Sequence, residues 1–250
     1  MSTHRNSQGM VHPLMIALVV VVIAVVGFAG WKVTSNNKNK NSSASTSGTA
    51  ATTNSAAVAS ACNKAISDSN ICNFASHYNP NAAYKATDTN TASDGTGGTL
   101  TISSDGKGNY EMSGTSNGSS FDAITLSGST YLKDASSGTW IKYSSSSTPS
   151  TTSNPASGLK ISASDITGNG TISYKNLGTA ACGSDTCFKY QIVDTASPGT
   201  TQYVWFDNKN YQLHEFYSKD DSGTNDMTFS YQSVNITAPS PVQDFSAAAQ

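Results

Sequence analysis

The sequence predicts an α+β domain that is mainly β, built on an antiparallel, meandering sheet. Three observations carry this. From Ala82 onward, short β-rich runs alternate with turns of Gly, Asn, Asp and Ser at a spacing of roughly 8–12 residues. Nearly every connection is of hairpin length, which joins antiparallel neighbours. Within the runs apolar and polar side chains alternate, as in strands with one buried face.

The elements follow in order. Ala57 to His77 is the best helical stretch: AVASACNKAIS places Val58, Ala61, Cys62, Ala65 and Ile66 on one face. Asp68-Ser69-Asn70 interrupts it, with Ser69 or Asn70 as the candidate cap of a second short segment, ICNFASHY. Strands are expected at AAYKATDT, GTLTISS, NYEMSG, FDAITLS, TYLKD, WIKYS, TISYKNLG, CFKYQIVD, QYVWFD, YQLHEFYS and MTFSYQSVNIT. The turns are SDGKGN, SGS, ASSG, GSDT, DNKN and KDDSGTND, and the longer Ser144–Ser164 connection has room for a loop and a short helix. In CFKYQIVD, Phe188, Tyr190 and Ile192 share a face. In MTFSYQSVNIT, Met227, Phe229 and Tyr231 do, and in YQLHEFYS, Tyr211, Leu213, Glu215 and Tyr217 alternate with Gln212, His214 and Phe216. A one-sided sheet must cover its apolar face. With so little helix available, it must curl on itself or enclose a cavity.

The N-terminus bears on compartment. The uncharged run from Leu14 to Trp31 is long enough for a transmembrane helix at ~1.5 Å per residue, with Trp31 at the interface. A cleaved signal peptide ending near Gly27-Phe28-Ala29 is the alternative, but the run exceeds a usual h-region. Residues 10–31 are read as a transmembrane signal-anchor behind a short cytoplasmic stretch, 1–9. Residues 32–56, rich in Ser, Thr and Asn, are read as a disordered linker. The domain runs 57–242, with a tail at 243–250. Lys32, Lys38 and Lys40 after the span argue for the opposite topology. The short N-terminus, paired cysteines and lysine-poor remainder favour a single-pass protein of the cell membrane with its C-terminal domain extracytoplasmic.

Net charge is −2 and charged residues are 12% of 250, so nothing suggests a nucleic-acid partner. His77 and His214 are the histidines of the folded region, and no G-x-S-x-G, H-E-x-x-H or phosphate loop is present. As neighbours on a strand, His214 and Glu215 point to opposite faces. The reading is therefore not an enzyme, with no cofactor. The C-x9-C and C-x4-C spacings of Cys62, Cys72, Cys182 and Cys187 do not suit a four-cysteine zinc knuckle, so no metal is expected. Four cysteines allow three pairings. Cys182 and Cys187 flank a hairpin turn and come within disulfide reach, and Cys62 reaches Cys72 if the chain folds back at Asp68-Ser69-Asn70.

The order of motifs resembles the LolA-like group of bacterial envelope proteins, including LppX/LprG-type lipoproteins. The matching text is the N-terminal helix, STYLKDASSGTWIKY, ISYKNLGTAACGSDTCFKYQIVD, YVWFDNKNYQLHEFYS and MTFSYQSVNITAPSPV, covering roughly 57 to 242. The resemblance implies a strongly curved antiparallel half-barrel with short helices on its concave side and an apolar cavity for acyl chains. This chain departs from the group in lacking a lipobox cysteine, so its anchor is expected to be the helix 10–31. The expected function is to bind a lipid or other apolar ligand in that cavity, lined by Trp140, Phe188, Tyr190, Trp205, Leu213, Phe229 and Tyr231. The rival is a cell-surface structural or interaction module with a filled core. No protein partner is named by the sequence.

Overall fold

A computed structural model describes residues 55–79, 81–116, 118–143 and 172–244. The expected anchor, nearly all of the linker and the Ser144–Ser164 connection lie outside the described residues. No helix among the described residues is long and apolar enough to cross a membrane.

Two helices open the domain, α1 (Ser55–Ile66) and α2 (Ser69–His77). Asp68 caps α2: its backbone is extended (φ −122°, ψ 107°) and its carboxylate accepts from the N–H groups of Asn70 and Ile71 at 3.0 and 3.4 Å. Ser69 and Asn70, the expected caps, already lie inside the helix. The chain reverses at Ser67, which adopts φ +57°. The reversal brings Cys62 and Cys72 to a Cα separation of 5.4 Å, and they form a disulfide.

Among the described residues twelve strands follow: β1 (Tyr84–Ala92), β2 (Gly97–Ser104), β3 (Tyr110–Ser116), β4 (Ser119–Leu126), β5 (Ser129–Lys133), β6 (Trp140–Tyr143), β7 (Ile172–Cys182), β8 (Asp185–Asp194), β9 (Thr201–Asp207), β10 (Leu213–Asp220), β11 (Gly223–Ser230) and β12 (Val242–Asp244). They form one open, curved sheet in the order β12-β6-β5-β4-β3-β2-β1-β11-β10-β9-β8-β7. Every pairing is antiparallel except β12 with β6. The fold is thus α+β, mainly β: a curved half-barrel with two short helices on one face.

Two meanders of hairpins, β1–β6 and β7–β11, meet where β1 pairs with β11. Register fixes the faces. Ala86 lies opposite both Ile102 and Phe229, and Asp88 opposite both Leu100 and Met227. Met112 continues that face onto β3 and Ala123 onto β4, and Leu132 and Ile141 carry it to β6. On the other side, Phe216, Val204 and Tyr190 extend it to β8. This is the face that bears the helices. At Gly114 a Cβ atom would lie 2.1 Å from the Thr99 carbonyl oxygen, so β2 and β3 approach too closely there for any side chain.

Several boundaries differ from the sequence reading. KDDSGTND is mostly strand: β10 runs to Asp220 and β11 begins at Gly223, leaving Asp221-Ser222 as the turn. Cross-strand pairing, such as Ser218 with Asn225, overrides the turn propensity of Asp, Ser and Asn. GSDT likewise shrinks to Gly183-Ser184, with Gly183 at φ +64° forming the left-handed corner. MTFSYQSVNIT ends as a strand at Ser230. Its remainder runs behind the sheet, where Ile236 packs on Ile124 and Tyr131, with Val234, Trp140 and Leu126 around them. It returns as β12, three residues too short to show periodicity. A bulge lies between Leu213 and Glu215, since Leu213 pairs with Phe206 and Glu215 with Trp205. It breaks the strict alternation expected along YQLHEFYS, so that Leu213 and Phe216, three apart, share the buried face.

Candidate functional site: the helix-bearing face

The helices meet the sheet through a small set of contacts on β7 to β10. Phe74 of α2 is buried and stacks on Phe206 with centroids 4.5 Å apart, and Tyr190 stacks on the same ring at 5.5 Å. Phe188 and Phe206 are 5.8 Å apart. Asp68 does more than cap α2. Its carboxylate accepts the Tyr190 hydroxyl at 2.8 Å, and that hydroxyl accepts from Asn176 Nδ2 at 2.8 Å. Burial first, and then the adjacent Asp68, push the Tyr190 phenol well above its ordinary value, so it stays a donor to the carboxylate. Asn176 sits in the β7 bulge, where its Oδ1 accepts from the N–H of Gly178. At the other end of α2, Asn73 donates to the Tyr211 hydroxyl at 3.0 Å and His77 stacks on the Tyr211 ring.

Of the seven residues expected to line one cavity, four share this face. Phe188, Tyr190 and Leu213 surround Phe206 by register, and Phe229 lies further along, against Tyr84 at 5.7 Å. Trp205 lies on the opposite face, under Lys189, whose ammonium sits 4.5 Å from the Trp205 centroid and 4.8 Å from that of Tyr203. Trp140 is on that opposite face too, beside the Ile124–Tyr131–Ile236 cluster and 5.8 Å from Lys133 Nζ. Tyr231 is at the rim where β11 ends, edge-on to His214 at 6.4 Å. Period-two alternation assigns faces only within a strand. Relating one strand to the next needs the register, which bulges and turn lengths set.

The helix-bearing face also holds polar groups. Asp88 is 2% exposed and accepts from Asn225 Nδ2. Burial raises its pKa to about 6; the Asn225 hydrogen bond opposes the rise and Asp226 adds to it. Asn225 Oδ1 and Thr125 Oγ1 are buried without a hydrogen-bond partner among the described residues. Asp88 did not stand out in the sequence, because one Asp within YKATDT looks like any exposed strand residue.

Behind the sheet, Cys182 and Cys187 form a disulfide with Cα atoms 5.8 Å apart. Asp207 pairs with Cys187 across β8–β9 and is 4% exposed. Burial opposes ionisation of Asp207, but the N–H groups of Asn210, Gln212 and Lys209, with His214, outweigh it and hold the carboxyl below its usual range. His214 Nε2 lies 3.8 Å from Asp207 Oδ2. The bulge overturns the expectation that His214 and Glu215 point to opposite faces: it turns His214 toward Asp207, on the same side as Glu215, which pairs with Trp205, and no spacing in the sequence signals it.

No family model matches the sequence, and no curated protein matches it in sequence. The structure is similar to solved structures. LprF from Mycobacterium bovis matches with a TM-score of 0.46 at 12% identity, covering 72% of this chain and 96% of that one. LppX, a lipoprotein of Mycobacterium tuberculosis, matches with a TM-score of 0.39 at 11% identity, covering 62% and 88%. MucB in its complex with MucA from Pseudomonas aeruginosa matches with a TM-score of 0.39 at 10% identity, covering 68% of this chain and 55% of that one.

Proposed function

We propose that this protein is a membrane-tethered, extracytoplasmic domain that holds a lipid-like apolar ligand against the concave face of its sheet. The observation that carries the reading is the continuous apolar face that the register builds from Phe229, Ala86 and Ile102 through Met112 and Ala123 to Leu132 and Ile141 on β6; Ala86, Ile102, Ala123 and Phe229 are buried, and Met112, Leu132 and Ile141 are half-buried. An acyl chain laid along that wall removes apolar surface from water at ~0.8 kcal/mol per methylene. The tether is residues 10–31, which suits loading or presenting a ligand close to one membrane.

Native mass spectrometry of the full-length protein tests this, together with displacement of a fluorescent fatty acid. Co-purifying lipid is expected, as is affinity that rises about fifteenfold for every two added methylenes. Absence of lipid together with no fatty-acid binding overturns the reading in favour of a filled-core interaction module.

A further inference from the structure

We propose that Cys182, Cys187 and His214, backed by Asp207, form a redox-gated site for a zinc-class divalent cation, closed while the disulfide is intact and opened by its reduction. The two sulfurs and one ring nitrogen of His214 all lie within 4.8 Å of one another. Tetrahedral zinc holds thiolates at about 2.3 Å and imidazole at about 2.0–2.1 Å, which sets neighbouring ligand atoms roughly 3.5–3.8 Å apart. Once the sulfur–sulfur bond is broken, side-chain rotation on the order of 1–2 Å meets that geometry.

Three features come together here. His214 occupies the β10 bulge, a device that re-aims one side chain, and it is aimed at the disulfide. Asp207 accepts three backbone N–H groups, at Lys209, Asn210 and Gln212, so its carboxylate is fixed in place. Its Oδ2 stands 3.8 Å from His214 Nε2, longer than a hydrogen bond; with the cation on Nδ1, closing that gap would make it the carboxylate that orients the imidazole. Access also distinguishes the two disulfides. Cys62 and Cys72 are both fully buried, whereas Cys182 is partly exposed. An external reductant therefore reaches the Cys182–Cys187 bond first.

The chemistry balances with a small dithiol as reductant. Its two thiols give two electrons and two protons to the Cys182–Cys187 bond and close into a disulfide of their own. The cation then displaces the two cysteine protons to solvent and binds two thiolates and one imidazole, leaving a fourth position open. In the oxidised state the same residues staple β7 to β8. The site lies on the face away from the helices and stands independently of the lipid reading.

The test uses the full-length protein, mildly reduced with a dithiol that is then removed anaerobically. Thiol mapping verifies that Cys182 and Cys187 are free while Cys62–Cys72 remains joined. Cobalt(II), a spectroscopic stand-in for zinc, is titrated in. The expected result is one equivalent per chain with thiolate-to-cobalt charge-transfer absorption, seen in the reduced protein alone. His214→Gln weakens binding at least tenfold and Asp207→Asn about tenfold, while the Cys182→Ser/Cys187→Ser double variant shows no such absorption. Reduced wild type without the absorption overturns the proposal, as does absorption that survives in the double-serine variant. Unchanged affinity in His214→Gln does the same. His214→Gln, checked for retained fold by circular dichroism, decides the matter even if the double-serine variant does not fold.

Discussion

Replacing Asp88 by Asn should make the protein more stable at neutral pH, and the gain should vanish in mild acid. Asp88 is buried between β2 and β11, opposite Leu100 and Met227, and accepts from Asn225 Nδ2. Burial raises its pKa from 3.8 to about 6. The folded state thus holds a proton that the unfolded chain releases, and stability falls as pH rises from about 4 to about 7. At ~1.4 kcal/mol per pH unit, the interval between the two values amounts to about 3 kcal/mol. Asn at position 88 carries no charge to desolvate. Its amide can also donate to Asn225 Oδ1, which has no partner among the described residues. Asp226, on the opposite face of β11, Glu215 on β10 and the tyrosine phenols also have raised pKa values, so the wild-type profile alone does not isolate Asp88. The difference between wild type and variant does. Urea unfolding midpoints measured from pH 4 to pH 8 should give similar stabilities near pH 4. The curves should then diverge by about 3 kcal/mol in favour of Asp88→Asn above pH 7. Parallel profiles would mean that Asp88 ionises in the folded protein as it does in the unfolded chain, and would refute the reasoning.

Four further outcomes follow from the packing. Phe74→Ala, which removes the ring stacked on Phe206, should cost about 3–5 kcal/mol in chemical denaturation and free α2 to hydrogen exchange. Asp68→Ala should cost about 1–2 kcal/mol through the lost cap, and a double-mutant cycle with Tyr190→Phe should reveal coupling between the two sites; strictly additive effects would contradict the shared hydrogen bond. Ile236→Ala should lower stability by about 2–4 kcal/mol and loosen the segment between β11 and β12, read by proteolysis after Tyr231. Gly114→Ala forces a Cβ against the Thr99 carbonyl and should shift the thermal midpoint down by several degrees, whereas Gly118→Ala, with open space around it, should not clash and should cost only the strain of its φ of +78°.

What the sequence reveals and what it hides divide along physical lines. The alternation in CFKYQIVD and MTFSYQSVNIT identifies strands because burial on one face imposes period two over several residues. The hairpin loops mark an antiparallel meander, and Cys182 and Cys187 sit close because a turn separates them. Interactions between distant segments are another matter. Nothing local says that Ala86 meets Phe229, or that Ile236 crosses the back of the sheet to Ile124. The lining set predicted from aromatic content therefore mixed Phe188 and Leu213 with Trp205 and Trp140, which the register places on the other face. The polar groups least visible in advance, Asp88 and the His214–Asp207 pair, take their surroundings from burial and from a bulge.

The meeting of the two meanders at β1 and β11 also has a kinetic consequence. Within β1–β6 and within β7–β11 each strand pairs with its sequence neighbour, so both halves can form from short loops, quickly and separately. The seam between them joins Lys85 to Ser230, residues separated by nearly the whole domain. Until Gly223–Ser230 is available, β1 is an open edge with unpaired amides and carbonyls, ready to pair with the β1 or β11 of another copy. A chain emerging from its N-terminus thus carries that open edge from the synthesis of Tyr84–Ala92 until that of Gly223–Ser230. Completion of the sheet, and protection from strand exchange between molecules, wait for the last strands to arrive.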